Sequence, residues 1–139
     1  MALRLDHIAI LVRDTEQALV YYRDTLGLTV TTSSVIPEKG VRLTHLALSP
    51  IELQLVEPLA DNKVLNDELN IKGEHLHHLC LQFPTLAQGV CYFSSNSIAF
   101  QSLTPHPGVN GKSALFLDKA DTRGVLFELT NSPDKQAII

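Results

Sequence analysis

Two strand-like stretches share one pattern of apolar and polar positions. The first is Leu5-Asp6-His7-Ile8-Ala9-Ile10-Leu11-Val12, and it returns as Leu76-His77-His78-Leu79-Cys80-Leu81-Gln82-Phe83. His7 and His78 are 71 residues apart, about half of the 139-residue chain. Successive strand residues point to opposite faces. Ile8, Ile10 and Val12 therefore share one face, as do Leu79, Leu81 and Phe83. His7 lies on the other face beside Ala9, and His78 beside Cys80. Each copy predicts an apolar face for a helix to cover and an imidazole on the reverse.

The elements between follow one order in both halves. Asp14 or Thr15 can cap a helix over residues 16–25, with Ala18, Leu19, Tyr22 and Leu26 as its buried stripe and Gly27 as its stop. Strands are predicted at 28–35, 41–48 and 51–57, broken by turns at 37–40 and 49–50. A polar connector spans 59–74, with a short helix around Val64, Leu65 and Leu69. The second half repeats the order, with a strand at 75–83 and a helix at 85–96 whose buried stripe is Leu86, Val90, Cys91 and Phe93. Strands follow at 99–103, 113–118 and 125–130. Residues 104–112 read as an irregular loop and 132–139 as a frayed tail. Neither half can bury its sheet face alone, so the halves must combine, within one chain or across a dimer. The expected fold is α+β, a single domain over 1–139 of two modules (about 1–58 and 75–131). Their curved mixed sheet surrounds a partly polar cleft, with helices outside.

Composition narrows the function. A net charge of −4 without a basic cluster argues against nucleic acid as a partner. No apolar run reaches the roughly 20 residues of a membrane span, and Asp6 and His7 interrupt any signal-like N-terminus. Cys80 and Cys91 read as reduced core thiols, which points to a cytoplasmic protein.

The duplication also picks out chemistry. Gln54 and Glu128 lie at matching places in the last strand of each half, 47 and 50 residues beyond the paired histidines. Glu128 is flanked by Phe127 and Leu129, where an uncompensated carboxylate costs several kcal/mol. His7, Gln54, His78 and Glu128 make an N₂O₂ set suited to Zn, Co, Ni, Mn or Fe as divalent ions, and a poor cage for calcium. An octahedral ion so held keeps two positions for a bidentate substrate. A lone strand histidine is ordinarily structural, and Glu128 could pair with a lysine or arginine. The coincidence of four positions under one repeat favours the metal. His75 and His77 fall on the face opposite His78 and read as surface or edge residues. His45 and His106 have no repeat partner and stay outside the set.

Asp6-His7-Ile8-Ala9-Ile10, Tyr22-Arg23-Asp24-Thr25-Leu26-Gly27-Leu28, Pro37-Glu38-Lys39-Gly40-Val41-Arg42, Leu53-Gln54-Leu55-Val56-Glu57-Pro58-Leu59, His77-His78-Leu79 and Gly124-Val125-Leu126-Phe127-Glu128-Leu129 together span almost the whole chain. In them the chain resembles the vicinal oxygen chelate superfamily, and within it the methylmalonyl-CoA epimerases most closely. The resemblance implies paired βαβββ modules, a divalent metal on His7, Gln54, His78 and Glu128, and a homodimer acting on an acyl-CoA thioester. It also implies that Glu38 transfers a proton, with Glu128 a candidate on the opposite face. The chain departs from the family at Phe116-Leu117-Asp118-Lys119, at Pro105-His106-Pro107-Gly108 and at Thr122-Arg123, near the expected substrate mouth.

Inverting the carbon α to a thioester requires removing a weakly acidic proton and returning one to the other face, with Lewis-acid stabilisation of the enolate. Two other readings share the architecture. A lactoylglutathione lyase, the glyoxalase reaction, would move a proton between adjacent carbons of a glutathione hemithioacetal. A metal-free module would only bind a small molecule and would need no ligand set.

Overall fold

The computed structural model describes residues 3–132 and separates them into two compact units. The first comprises residues 7–77, and the second comprises residues 3–6 with 78–132. Each holds the expected order of a strand, a helix and three further strands, and the class is α+β. The boundaries fall inside β1 (Arg4–Leu11) and β5 (His75–Phe83).

In the first unit, β2 (Val30–Ile36), β3 (Val41–Leu48) and β4 (Ile51–Pro58) form an antiparallel run, and β1 from His7 onward adds parallel to β4. The order is β2-β3-β4-β1. Asp14 caps α1 (Thr15–Leu19), its side chain accepting from Gln17 N at 2.9 Å. Thr15, also a candidate cap, is instead buried and donates through both N and Oγ1 to Glu57 Oε1, tying α1 to β4. The helix covers the face expected of it. Val12, Leu19, Leu46, Leu53 and Leu55 are buried together, with Ile8, Ile10 and Tyr22 against them. Leu26 is a correction, because it is 51% exposed. Residues Val20–Thr25 wind as a wider π-helical turn, which breaks the 3.6-residue spacing that would have turned Leu26 inward. The connector holds a full helix, α2 (Lys63–Lys72), capped by Asn62 and stopped at Gly73 with φ of 72°.

In the second unit the order is β5-β8-β7-β6, with β8 (Phe127–Asn131) parallel to β5 and antiparallel to β7 (Ser113–Phe116). Thr85 caps α3 (Leu86–Ser95), and Leu86 and Phe93 pack on buried Phe83, Leu117 and Leu129. Cys91 is exposed, not part of the stripe. One turn is 3.6 residues, so Gly89 rather than Cys91 follows Leu86 onto the covered face, and Gly89 is buried. The strand expected at 99–103 is reduced to a bridge between Phe100 and Leu117. The pairing strand is instead β6 (His106–Pro107), inside the stretch read as irregular. Gln101, Ser102 and Thr104 give the earlier segment no alternating apolar face to hold it. The turn closed by Gly108 N on Lys112 O at 2.9 Å brings His106 opposite Ala114. Ser132 N donates to Phe83 O at 2.7 Å, and the rest of the expected tail lies outside the described residues. No helix among the described residues is long and apolar enough to cross a membrane.

Candidate metal centre

In the first unit, parallel pairing sets Ala9 opposite Gln54 and His7 opposite Glu52. His7 and Gln54 therefore lie on one face of neighbouring strands, opposite the face that α1 covers, and each is 5% exposed. The β3–β4 register puts His45 directly across from Gln54. His45 Nε2 is 2.9 Å from Gln54 Nε2, His45 Nδ1 is 2.7 Å from Glu52 Oε1, and the His7 and His45 rings are 5.5 Å apart. His45, set aside in the sequence, thus belongs to this face. A two-residue turn at Ser49-Pro50 fixes Leu48 opposite Ile51 and hence His45 opposite Gln54, so hairpin register was the signal that finds it.

The second unit has the same construction. Cys80 pairs with Glu128 as Ala9 pairs with Gln54, each two residues beyond its histidine. His78 Nε2 lies 3.1 Å from Glu128 Oε1, and His106 Nε2 lies 2.8 Å from Glu128 Oε2. Glu128 is buried, with these two imidazoles at its carboxylate oxygens. Phe116 walls the group, edge-on to His78 at 5.2 Å and stacked on His106 at 5.0 Å. His106 could not be found from the repeat, since it arrives on a strand of two residues between prolines. Burial pushes the Cys80 thiol well above its ordinary range, and the negative charges of Glu128 and Asp6 add to this. Asp6 itself accepts from Lys112 Nζ at 2.9 Å and Gln82 Nε2 at 2.8 Å.

Glu38 stands exposed on the 3₁₀ turn Pro37–Lys39 of the first unit. Gly40 closes that turn at φ of 66°, and Asn62 Nδ2 donates to Lys39 O and Gly40 O at 3.3 and 3.0 Å. The carboxylate is thus carried on an anchored loop. His75 and His77 are half-buried rather than free surface residues. Both face Glu68 of α2, at 2.7 and 3.9 Å.

The donors of both units suit a divalent cation in type, and those of the second also in spacing. Two atoms bound to one ion at about 2.1 Å stand roughly 3.0–3.4 Å apart in octahedral or tetrahedral geometry. His78 Nε2 and Glu128 Oε1 have that spacing at 3.1 Å. Imidazole nitrogen, amide oxygen and carboxylate are the donor types that borderline divalent metals take.

The profile of the Glyoxalase/Bleomycin resistance protein/Dioxygenase superfamily matches residues 6–116. The chain is 33% identical over 129 residues to the ethylmalonyl-CoA/methylmalonyl-CoA epimerase of Cereibacter sphaeroides, covering 91% of this chain and 96% of that protein. It is 32% identical over 127 residues to the mitochondrial methylmalonyl-CoA epimerase of Mus musculus, covering 91% and 71%. Among solved structures, a Glu-to-Gln variant of Streptomyces coelicolor methylmalonyl-CoA epimerase in complex with 2-nitronate-propionyl-CoA superposes with a TM-score of 0.84 at 29% identity, covering 94% of this chain and 97% of that one. A likeness that runs through both units and nearly their whole length makes this chain a member of the glyoxalase/bleomycin resistance protein/dioxygenase superfamily.

Proposed function

We propose that this protein is a metal-dependent epimerase that inverts the carbon α to a CoA thioester, with methylmalonyl-CoA as the substrate of reference. One observation carries the reading. In both units a buried residue with a side-chain oxygen, Gln54 or Glu128, pairs in parallel register with the residue two beyond a buried histidine. The likeness to epimerases, one of them solved with a CoA-thioester analogue, supports the substrate class. In this reading the two modules form a single domain, and His7, Gln54, His78 and Glu128 hold one divalent ion (Co, Zn, Ni, Mn or Fe). The chain works as a homodimer. Its two free thiols suit a reducing compartment such as the cytoplasm.

The bound ion supplies Lewis-acid stabilisation of the charge that develops on the thioester oxygen, worth several kcal/mol. The chain supplies the proton transfers. Glu38 takes the α-proton from one face of the substrate, and Glu128 returns a proton to the other, with the roles exchanged in the reverse direction. The Asn62 anchor holds the Glu38 turn in place. His106 holds one oxygen of Glu128, and His78 Nε2 faces the other at 3.1 Å.

The test is solvent deuterium uptake at the α-carbon of methylmalonyl-CoA in heavy water. Uptake should vanish on chelation and return when Co²⁺ is added back. Failure of the metal-loaded protein to exchange that proton overturns the reading. Turnover of the methylglyoxal–glutathione hemithioacetal in its place would transfer the chain to the lyases.

A further inference from the structure

A glutamine amide binds a cation only through its oxygen, because the NH₂ group offers donors and no lone pair. Oxygen and nitrogen occupy nearly the same volume, so packing alone does not choose which of them faces an ion. In this chain a polar relay makes the choice. Glu52 Oε2 accepts from Thr31 Oγ1 at 2.9 Å, and Glu52 Oε1 lies 2.7 Å from His45 Nδ1. An ionised carboxylate only accepts, so Nδ1 carries a proton, and an amide NH₂ only donates, so Nε2, facing the Gln54 nitrogen, keeps its lone pair. Gln54 Nε2, 2.9 Å from that nitrogen, must then be the donor. The amide NH₂ is committed to His45, and the carbonyl oxygen is left on the opposite side of the amide.

We propose that His45 and Glu52 are positioning residues that set the polarity of the Gln54 amide, so that its oxygen is presented as a metal ligand. The proposal rests on the metal reading above and adds two residues to it. Neither lies in the stretches that carry the family resemblance. Each link admits one direction, from accepting carboxylate to Nδ1–H tautomer to accepting Nε2 to donating amide. With Nε2 protonated instead, Gln54 would turn its oxygen toward His45 and its NH₂ toward the ion.

The experiment measures Co²⁺ affinity of the chelator-stripped full chain by calorimetric titration, with thermal midpoints of the metal-free forms recorded beside it. Gln54→Ala and His45→Phe should each weaken Co²⁺ about tenfold or more, the usual scale for residues that orient a ligand. The double variant should bind no more weakly than Gln54→Ala alone, because His45 acts only through that amide. Glu52→Ala should weaken Co²⁺ several-fold with the same non-additivity. Its side chain is 40% exposed, so it carries the test if His45→Phe does not fold. Unchanged Co²⁺ affinity in His45→Phe and Glu52→Ala, beside a weakened Gln54→Ala, overturns the positioning role and leaves the metal centre standing. Losses that simply add overturn it too. Unchanged affinity in Gln54→Ala removes Gln54 from the ligand set, and the positioning role with it.

Discussion

His106 and Glu128 meet at 2.8 Å, Nε2 to Oε2, although His106 enters on a strand of only two residues. His78 Nε2 stands 3.1 Å from the other carboxylate oxygen. Removing one partner of a buried charged hydrogen bond costs about 1–3 kcal/mol. His106→Ala should therefore lower the stability of the metal-free protein by about that amount, read by urea denaturation. It should also slow α-deuterium uptake roughly tenfold, since Glu128 then samples more orientations. Wild-type uptake in this variant would mean that the contact is only structural.

Glu38 is exposed on an anchored turn and lies outside the ligand set. Glu38→Gln should cut α-proton exchange by about 10²–10⁴-fold, the range for loss of a general base. Co²⁺ affinity should stay at the wild-type value, because no ligand is touched. Loss of metal in this variant would argue for a ligating rather than a proton-transfer role.

The two thiols should differ sharply. Cys80 is fully buried and its thiol is pushed up, whereas Cys91 is exposed. The thiolate is the reactive form. Iodoacetamide should add once to the native protein, at Cys91, and twice after denaturation, read by intact mass. The sign for stability follows from linkage. Above about pH 8.5, the ordinary thiol range, the unfolded chain releases a proton that native Cys80 keeps. Stability should fall as pH rises through that range, and Cys80→Ala should flatten the slope. An equal slope in the variant would show that Cys80 does not titrate differently in the two states.

Gly89 sits in the middle of α3, where alanine would gain about 1 kcal/mol of helix propensity. A Cβ there would stand 3.1 Å from Leu129 Cδ1 and from Phe83 Cδ1, both side chains of the buried core. Overpacking of this kind costs about 1–3 kcal/mol, so crowding should win. Gly89→Ala is expected to lower the unfolding free energy by about 1 kcal/mol in chemical denaturation. A gain in stability would show that Phe83 yields more readily than its burial implies.

Much of this chain is legible in local pattern. Alternation at His7–Leu11 and His78–Phe83, the caps Asp14 and Thr85 and the turn at Ser49-Pro50 act over a few residues, and they place most strands and helices. The internal repeat carries further, giving Gln54 and Glu128 as equivalent positions before any register is seen. Tertiary structure decided what depends on chain segments meeting. It wound Val20–Thr25 as a π turn, replaced the strand expected at 99–103 with His106–Pro107, and set His106 beside Glu128. It also gave His45 its place between Glu52 and Gln54. Alternation tells which face a side chain takes, because that is a property of the backbone around it. Which donor meets which acceptor on that face is fixed by the register of strands distant in sequence, and that register exists only once the sheet has formed.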